Sequence, residues 1–160
     1  GVKINFQNKK IYKGEKIADI FVKSSKKLRS INCPKEWNSS AIDEFLIIFL
    51  VAAKAKGTSY FNNLDELNQK ESPRLIWASK ILNIMGVENI MTHNSIKIRG
   101  NPNLLLKKKI LIKNFLKDHR VFMMSTIAAL SFGGNWKIND ADSIKTSFPK
   151  FLKILRELNR

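Results

Sequence analysis

The apolar positions of this chain change period along its length, and the changes mark out its elements. Val2, Ile4 and Phe6 alternate with polar residues, as a strand with one dry face requires. The pattern predicts strands over 2–6, 10–12 and 17–22, the first two joined by a turn at Gln7-Asn8-Lys9. A polar, lysine-rich loop through Cys33-Pro34 to Asn38 follows. Phe45 to Ala53 is apolar without interruption, which predicts a helix buried on most sides. Ser39 or Ser40 is expected to cap that helix, with Asp43 and Glu44 complementing its positive end. Gly57 ends it, and Thr58 to Phe61 reads as a strand. Leu75, Ile76, Ile81, Leu82 and Ile84 then recur at helical spacing. They predict a helix from Pro73 to Met85, with Ser72 as N-cap, Pro73 at the first helical position and Gly86 as the stop.

The same order begins again after Gly86. Strands over 88–91 and 96–99 flank a turn at His93-Asn94-Ser95, and a third strand covers 109–112. Asp118 is placed to cap a helix from His119 to about Leu130, which Gly133-Gly134 ends. A strand over 135–138 precedes a last helix, opened by Ser147-Phe148-Pro149, that carries Phe151, Leu152, Ile154, Leu155 and Leu158. Gly57 and Gly133, Pro73 and Pro149, and Asp43 and His119 each lie 76 positions apart, while Gly1 and Gly86 lie 85 apart. The chain therefore reads as two repeated hairpin-β-α-β-α units, about 1–85 and 86–160, of an α/β fold. Gly86-Val87 follows a helix, and Gly1-Val2 holds the equivalent place with none before it. On that ground the chain is expected to be a fragment of a longer architecture.

Composition narrows the classes. With 160 residues, 44% of them hydrophobic, the chain can bury a proper core. Its longest apolar run is too short to cross a bilayer, so no membrane association is expected. One cysteine, Cys33, excludes an internal disulfide framework and suits a reducing cytoplasm. Two histidines and that cysteine offer no recognisable metal spacing, so no metal is expected. A net charge of +16, from 29 Lys and Arg against 13 Asp and Glu, favours an anionic partner. The cations are mostly scattered lysines, in short clusters such as Lys26-Lys27 and Lys107-Lys108-Lys109, without the aromatic interleaving of a single-strand binder. Nucleic acid is therefore not the expected partner.

Candidate chemistry concentrates at helix entries. Lys70 and Glu71 sit in the loop before the Pro73 helix, and Arg74 lies in its first turn, where the macrodipole disfavours a cation. An anion shared between Arg74 and the helix end would resolve the conflict; a solvated salt bridge is the simpler alternative. Lys117-Asp118-His119-Arg120 opens another helix, whose free N–H groups and Arg120 fork suit a carboxylate or phosphate. His119 beside a carboxylate can shuttle a proton. Each residue also has an ordinary structural role open to it: caps for Asp43 and Asp118, a core hydrogen bond for His119, a surface ion pair for Arg120.

Taken in order, Asp43-Glu44-Phe45, Gly57-Thr58, Lys70-Glu71-Ser72-Pro73-Arg74, Gly86, Asp118-His119-Arg120 and Thr146-Ser147-Phe148-Pro149 closely resemble the C-terminal part of the enolpyruvylshikimate-phosphate synthase family. The resemblance runs essentially from Gly1 to Arg160. It implies an enolpyruvyl transferase-like inside-out α/β barrel, of which this chain is an incomplete C-terminal lobe holding two of three units. The N-terminal lobe, which supplies a lysine, an arginine and a serine-rich shikimate-phosphate site, and the first C-terminal unit would be absent. The implied reaction transfers the enolpyruvyl group from phosphoenolpyruvate to the 5-hydroxyl of shikimate 3-phosphate, with no cofactor. The implied roles are Asp43 as base for the hydroxyl, Lys70 at the attacked oxygen and the substrates, and Glu71 at the methylene proton. Arg74 and Arg120 would clamp phosphoenolpyruvate, with His119 close by. The sequence departs from the family at Asn68, where arginine is usual, at Pro73, where aspartate is usual, and at Thr146, which aligns with a lysine of some members beside Lys145. Pro73 removes a side chain expected to orient Arg74. Two other readings follow from the same residues: a diverged inactive paralogue, or a basic module that binds polyanions such as nucleic acid.

Overall fold

The uninterrupted apolar run forms helix α1 (Phe45–Lys54), against which two further helices and a strand pack. Phe45, Leu46, Phe49, Leu50, Ala52 and Ala53 are buried, while Val51 faces outward at 47% exposure. The helix is thus dry on most sides but not all round. The computed structural model describes residues 2–25 and 27–158; Gly1, the first glycine of the repeat, and Lys26 of the Lys26-Lys27 cluster lie outside them, as do the last two residues. In chain order the strands are β1 (Lys3–Tyr12), β2 (Glu15–Lys23), β3 (Gly57–Phe61), β4 (Asn89–Met91), β5 (Ile96–Gly100), β6 (Leu106–Ile112) and β7 (Gly133–Ile138). Helices α2 (Arg74–Met85), α3 (His119–Phe132) and α4 (Phe151–Leu158) complete the regular elements, with short 3-10 turns at Lys35–Trp37, Asp65–Gln69 and Ala141–Ile144.

The first hairpin departs from the expected pattern. β1 runs unbroken past Gln7-Asn8-Lys9, where a register shift between Gln7 and Lys10 takes up extra residues as a bulge and Asn8 adopts a φ of 48°. The turn falls instead at Lys13-Gly14, both with positive φ (50° and 85°), which matches the right-handed twist of paired strands. The segment expected as a third strand, 17–22, is therefore the hairpin's return strand β2.

The loop read as lysine-rich and irregular hides the strand partner of β3. Ser30 N donates to Lys56 O (3.1 Å), Lys56 N to Leu28 O (2.9 Å), Tyr60 N to Ile31 O (2.9 Å) and Cys33 N to Tyr60 O (2.9 Å). The pairing is parallel, as is that of β6 with β7. Ser30 packs against Gly57 as Leu106 packs against Gly133, and the two contacts stand 76 positions apart. On its other edge β3 pairs antiparallel with β5, which pairs with β4. Partial burial pushes the Cys33 thiol up from its ordinary pKa.

Helices α1, α2 and α3 pack against one another over these strands. Phe45, Phe49 and Phe61 meet at ring-centroid distances of 5.0–6.1 Å, two of the pairs edge to face. Such pairs add about 0.5–1.5 kcal/mol each beyond simple burial. Neither Ser39 nor Ser40 caps α1: the residue before it, Glu44, makes no side-chain cap, and Ser40 Oγ donates back to Trp37 O. The reason is the tight turn over 38–44, which carries the chain from Trp37 into α1 and leaves both serines remote from its first amides. Among the described residues no helix is long and apolar enough to cross a membrane.

Gly100 marks the closest approach of sheet and helix. A Cβ there would lie on the carbonyl oxygens of Ala52 and Ala55 at the end of α1. Backbone oxygens cannot swing aside, so Gly100→Ala is expected to cost at least the ~1–3 kcal/mol typical of overpacking, read as a lower urea midpoint. Unchanged stability would mean that α1 and β5 do not meet this closely.

Candidate active site

Three helices present their N-termini to one region, and Arg74 lies at its centre. Its guanidinium is 2% exposed and meets three carboxylates. Nε donates to Asp118 Oδ2 (3.0 Å), Nη1 to Asp43 Oδ1 (2.9 Å) and Nη2 to Glu71 Oε2. Asp43 stands just before α1, Glu71 just before α2, and Asp118 at the N-cap of α3. The cation that opposed its own helix dipole is thus offset by carboxylates from all three helix entries. It is neither solvated nor a surface pair.

Asp118 does two things with two oxygens. Oδ1 accepts from the amides of Arg120 (2.8 Å) and Val121 (3.4 Å), capping α3 as expected. Oδ2 accepts from Arg74 Nε and from Ser72 Oγ (2.8 Å). Ser72 therefore does not cap α2. Pro73 stands one residue before the helix rather than in it, because its carbonyl already accepts the first helical bond, from Trp77 N (3.0 Å). Burial by itself would raise the Asp118 carboxyl. The hydrogen bonds from Arg74 and Ser72, the Arg74 charge and the Arg120 amide outweigh burial and hold it below the usual carboxylate range.

Arg120 forms the second cationic post. Nη1 donates to the Asp43 carbonyl (3.0 Å) and to Glu44 Oε1 (3.0 Å), and Nη2 lies 3.7 Å from Asp43 Oδ2. Its Nε is buried and, among the described residues, has no hydrogen-bond partner. A cleft of about 480 Å³ opens beside it, lined by Asp43, Glu44, His119, Arg120 and Phe148 among others.

Of the residues singled out from sequence, Asp43, Glu71, Arg74 and Arg120 are joined through their side chains, and His119 lines the adjacent cleft. Lys70 is not in this network: Nζ turns back to Glu66 Oε1 (2.6 Å), one helical turn earlier. Pro73 does not leave Arg74 unoriented, since the three carboxylates fix it. The bond of Glu44 to Arg120, that of Ser72 to Asp118 and the second role of Asp118 escaped the sequence. Only the approach of α3 to the entries of α1 and α2 creates those contacts, and no local spacing signals it.

Solved structures share this architecture. The EPSP synthase from Acinetobacter baumannii superposes with a TM-score of 0.87 at 32% identity, over 98% of this chain and 36% of that one. The enolpyruvyl transferase NikO from Streptomyces tendae superposes at 0.65 with 14% identity, over 98% and 32%. The fold is that of the enolpyruvyl transferases. The family model for EPSP synthase (3-phosphoshikimate 1-carboxyvinyltransferase) matches residues 6–155. The 3-phosphoshikimate 1-carboxyvinyltransferases of Ruthia magnifica and Oceanobacillus iheyensis are each 35% identical over 158 residues, 99% of this chain. The chain belongs to the EPSP synthase family. It spans about a third of the length of the curated relatives it matches, 35% and 36% for these two.

The lowered Asp118 carboxyl makes a testable claim on stability. A depressed folded-state pKa contributes stability above the unfolded value, near pH 4, and loses it as pH falls through the folded value. Asp118→Asn leaves Arg74 short of one buried charge and is expected to cost roughly 3 kcal/mol at neutral pH. In urea titrations the gap between wild type and variant should stay constant above about pH 4 and close in more acid solution. A gap that first narrowed on the alkaline side would contradict the assignment.

Proposed function

We propose that this chain carries part of the active site of an enzyme that transfers the enolpyruvyl group from phosphoenolpyruvate to the 5-hydroxyl of shikimate 3-phosphate. The observation that carries the proposal is the convergence of Asp43, Glu71, Arg74 and Arg120, the positions that match the family motif, at three helix entries. Asp43 is the base that takes the hydroxyl proton. The hydroxyl oxygen bonds to the second carbon of phosphoenolpyruvate while Glu71 delivers a proton to the methylene, giving a tetrahedral intermediate. Phosphate then leaves with the carbon–oxygen bond electrons, and a proton lost from the methyl group restores the double bond. Each such proton transfer is worth roughly 10²–10⁴-fold. Arg74 and Arg120 bind the carboxylate and phosphate anions, with His119 beside them and Lys70 turning in from its pair with Glu66 to reach the attacked oxygen.

Charge explains why the site is partial. Asp43, Glu44, Glu71 and Asp118 bring four negative charges against two from Arg74 and Arg120. A face that is net negative cannot hold two phosphorylated anions tightly. The missing cations come, in this reading, from an N-terminal lobe that closes over the site. The chain is then two of three units of the C-terminal lobe, about 1–85 and 86–160, working in the cytoplasm. The hairpin β1–β2 supports the same reading, since Ile4, Phe6, Ile11, Ile20, Phe21 and Val22 are all exposed. Apolar surface of this kind is normally covered by a partner element.

Phosphate release from phosphoenolpyruvate and shikimate 3-phosphate by the full-length parent is the test. Glu71→Gln, which keeps shape but not acidity, is expected to lower it by about 10²-fold or more. The 160-residue chain alone is expected to give no turnover. Normal turnover in the Glu71 variant would refute its role, and product made by the isolated chain would refute the partial site.

A further inference from the structure

The two departures at Asn68 and Pro73 explain each other in the structure. Helix α3 satisfies the amides of its second and third residues, Arg120 and Val121, with the side chain of its own N-cap, Asp118. Helix α2 has proline in the residue before it, whose ring offers no acceptor. The corresponding amides of α2, those of Leu75 and Ile76, donate instead to Asn68 Oδ1, at 3.2 and 3.4 Å. Asn68 lies in the preceding 3-10 turn, five positions before the cap site, and its Nδ2 donates to His93 O (3.4 Å) in the loop between β4 and β5.

We infer that Asn68 is the N-terminal cap of α2, supplying from upstream the acceptor that Pro73 cannot, and is thereby the positioning residue for Glu71 and Arg74. The contact from residue 68 to residue 75 closes the intervening segment into a ring, with Glu71 near its midpoint and Arg74 at the junction. Glu71 is 55% exposed, and its described side-chain contact is with Arg74 alone. Its place therefore depends on where that ring is closed. The side-chain hydrogen bonds of Asn68 run to His93 O and to the amides of Leu75 and Ile76, not to Arg74 or its carboxylates, so it acts through the backbone and not as a catalytic group. An acceptor at this helix end also meets the positive end of the dipole, into which Arg74 adds unfavourable charge. That Glu71 and Arg74 serve the transfer reaction rests on the proposed function; the cap does not.

The test uses the 160-residue chain labelled with ¹⁵N and needs no substrate, so its failure is separate from failure of the proposed reaction. Asn68→Ala is expected to speed hydrogen exchange of the Leu75 and Ile76 amides by about fivefold or more, the factor a typical cap is worth, while amides in the middle of α2 change less. It should also shift the Arg74 Nε–Hε resonance, which reports the bond to Asp118. Asn68→Asp, which keeps the acceptor, and Asn68→Ala combined with Pro73→Asp, which moves it to the cap site, are expected to restore both signals. Unchanged exchange in Asn68→Ala would overturn the cap. Faster exchange with an unmoved Arg74 resonance would overturn the positioning role. No recovery in the double variant would overturn the compensation with Pro73. Should Asn68→Ala fail to fold, the double variant is expected to fold, and its failure would count against the inference equally.

Discussion

A buried guanidinium holding three carboxylates is the constraint on which the rest of this structure depends. Arg74 and Asp118 are withdrawn from water almost completely, at 2% and 0% exposure. Desolvating either alone costs several kcal/mol, so neither can tolerate the loss of the other. Their bond therefore dictates where the entry of α2 sits against the entry of α3. Asp43 and Glu71 join the same cation from the solvent side, which brings the start of α1 and the loop before α2 into the same few ångströms. The apolar contacts among α1, α2 and α3 stabilise the layer, but they are non-directional. The guanidinium is planar and its donors point in fixed directions, so it selects one arrangement of the three helix ends.

The same geometry divides labour between rigidity and chemistry. Asp118, capped into α3 and bonded by Ser72, is a fixed anion held ionised by its neighbours. Asp43 and Glu71 are about half exposed, so they can exchange partners and protons with something that enters from solvent. Arg120, whose Nε is buried, lines the adjoining cleft. One inner carboxylate thus sets the position of the arginine, and two outer ones are left where proton transfer is possible. A face built this way is richer in acid than in base.

Much of the element order was legible along the chain because local rules decide it. The alternation in β4 and β5, the apolar run of α1, the Asp118 cap and the left-handed stop at Gly86 are each written within a few residues. Where the local signal was ambiguous, the expectation failed. Asn8 looked like a turn but forms a bulge, since the true turn at Lys13-Gly14 pairs Ile4 with Val22 and Phe6 with Ile20. The segment 28–33 looked like a loop because it follows a run of lysines and leads into Cys33-Pro34, yet its backbone pairs with β3. Strand pairing needs only the main chain and a neighbour, and the neighbour is remote in sequence.

By itself, the sequence determined where the helices form and most of the strands, the internal spacing of 76 residues, and which charged residues stand at helix entries. It determined that Arg74 would oppose its own helix dipole, a conflict demanding an anion. Only the tertiary structure decided which anions answer it. Asp118 and Asp43 lie 44 and 31 positions away in sequence, and packing of α1, α2 and α3 places them on one guanidinium. It also decided that Ser72 serves Asp118 and that Asn68 serves the helix Ser72 was expected to cap. Hydrogen-bond partners are chosen by proximity in space, and a side chain's composition names what it can donate or accept but not to whom.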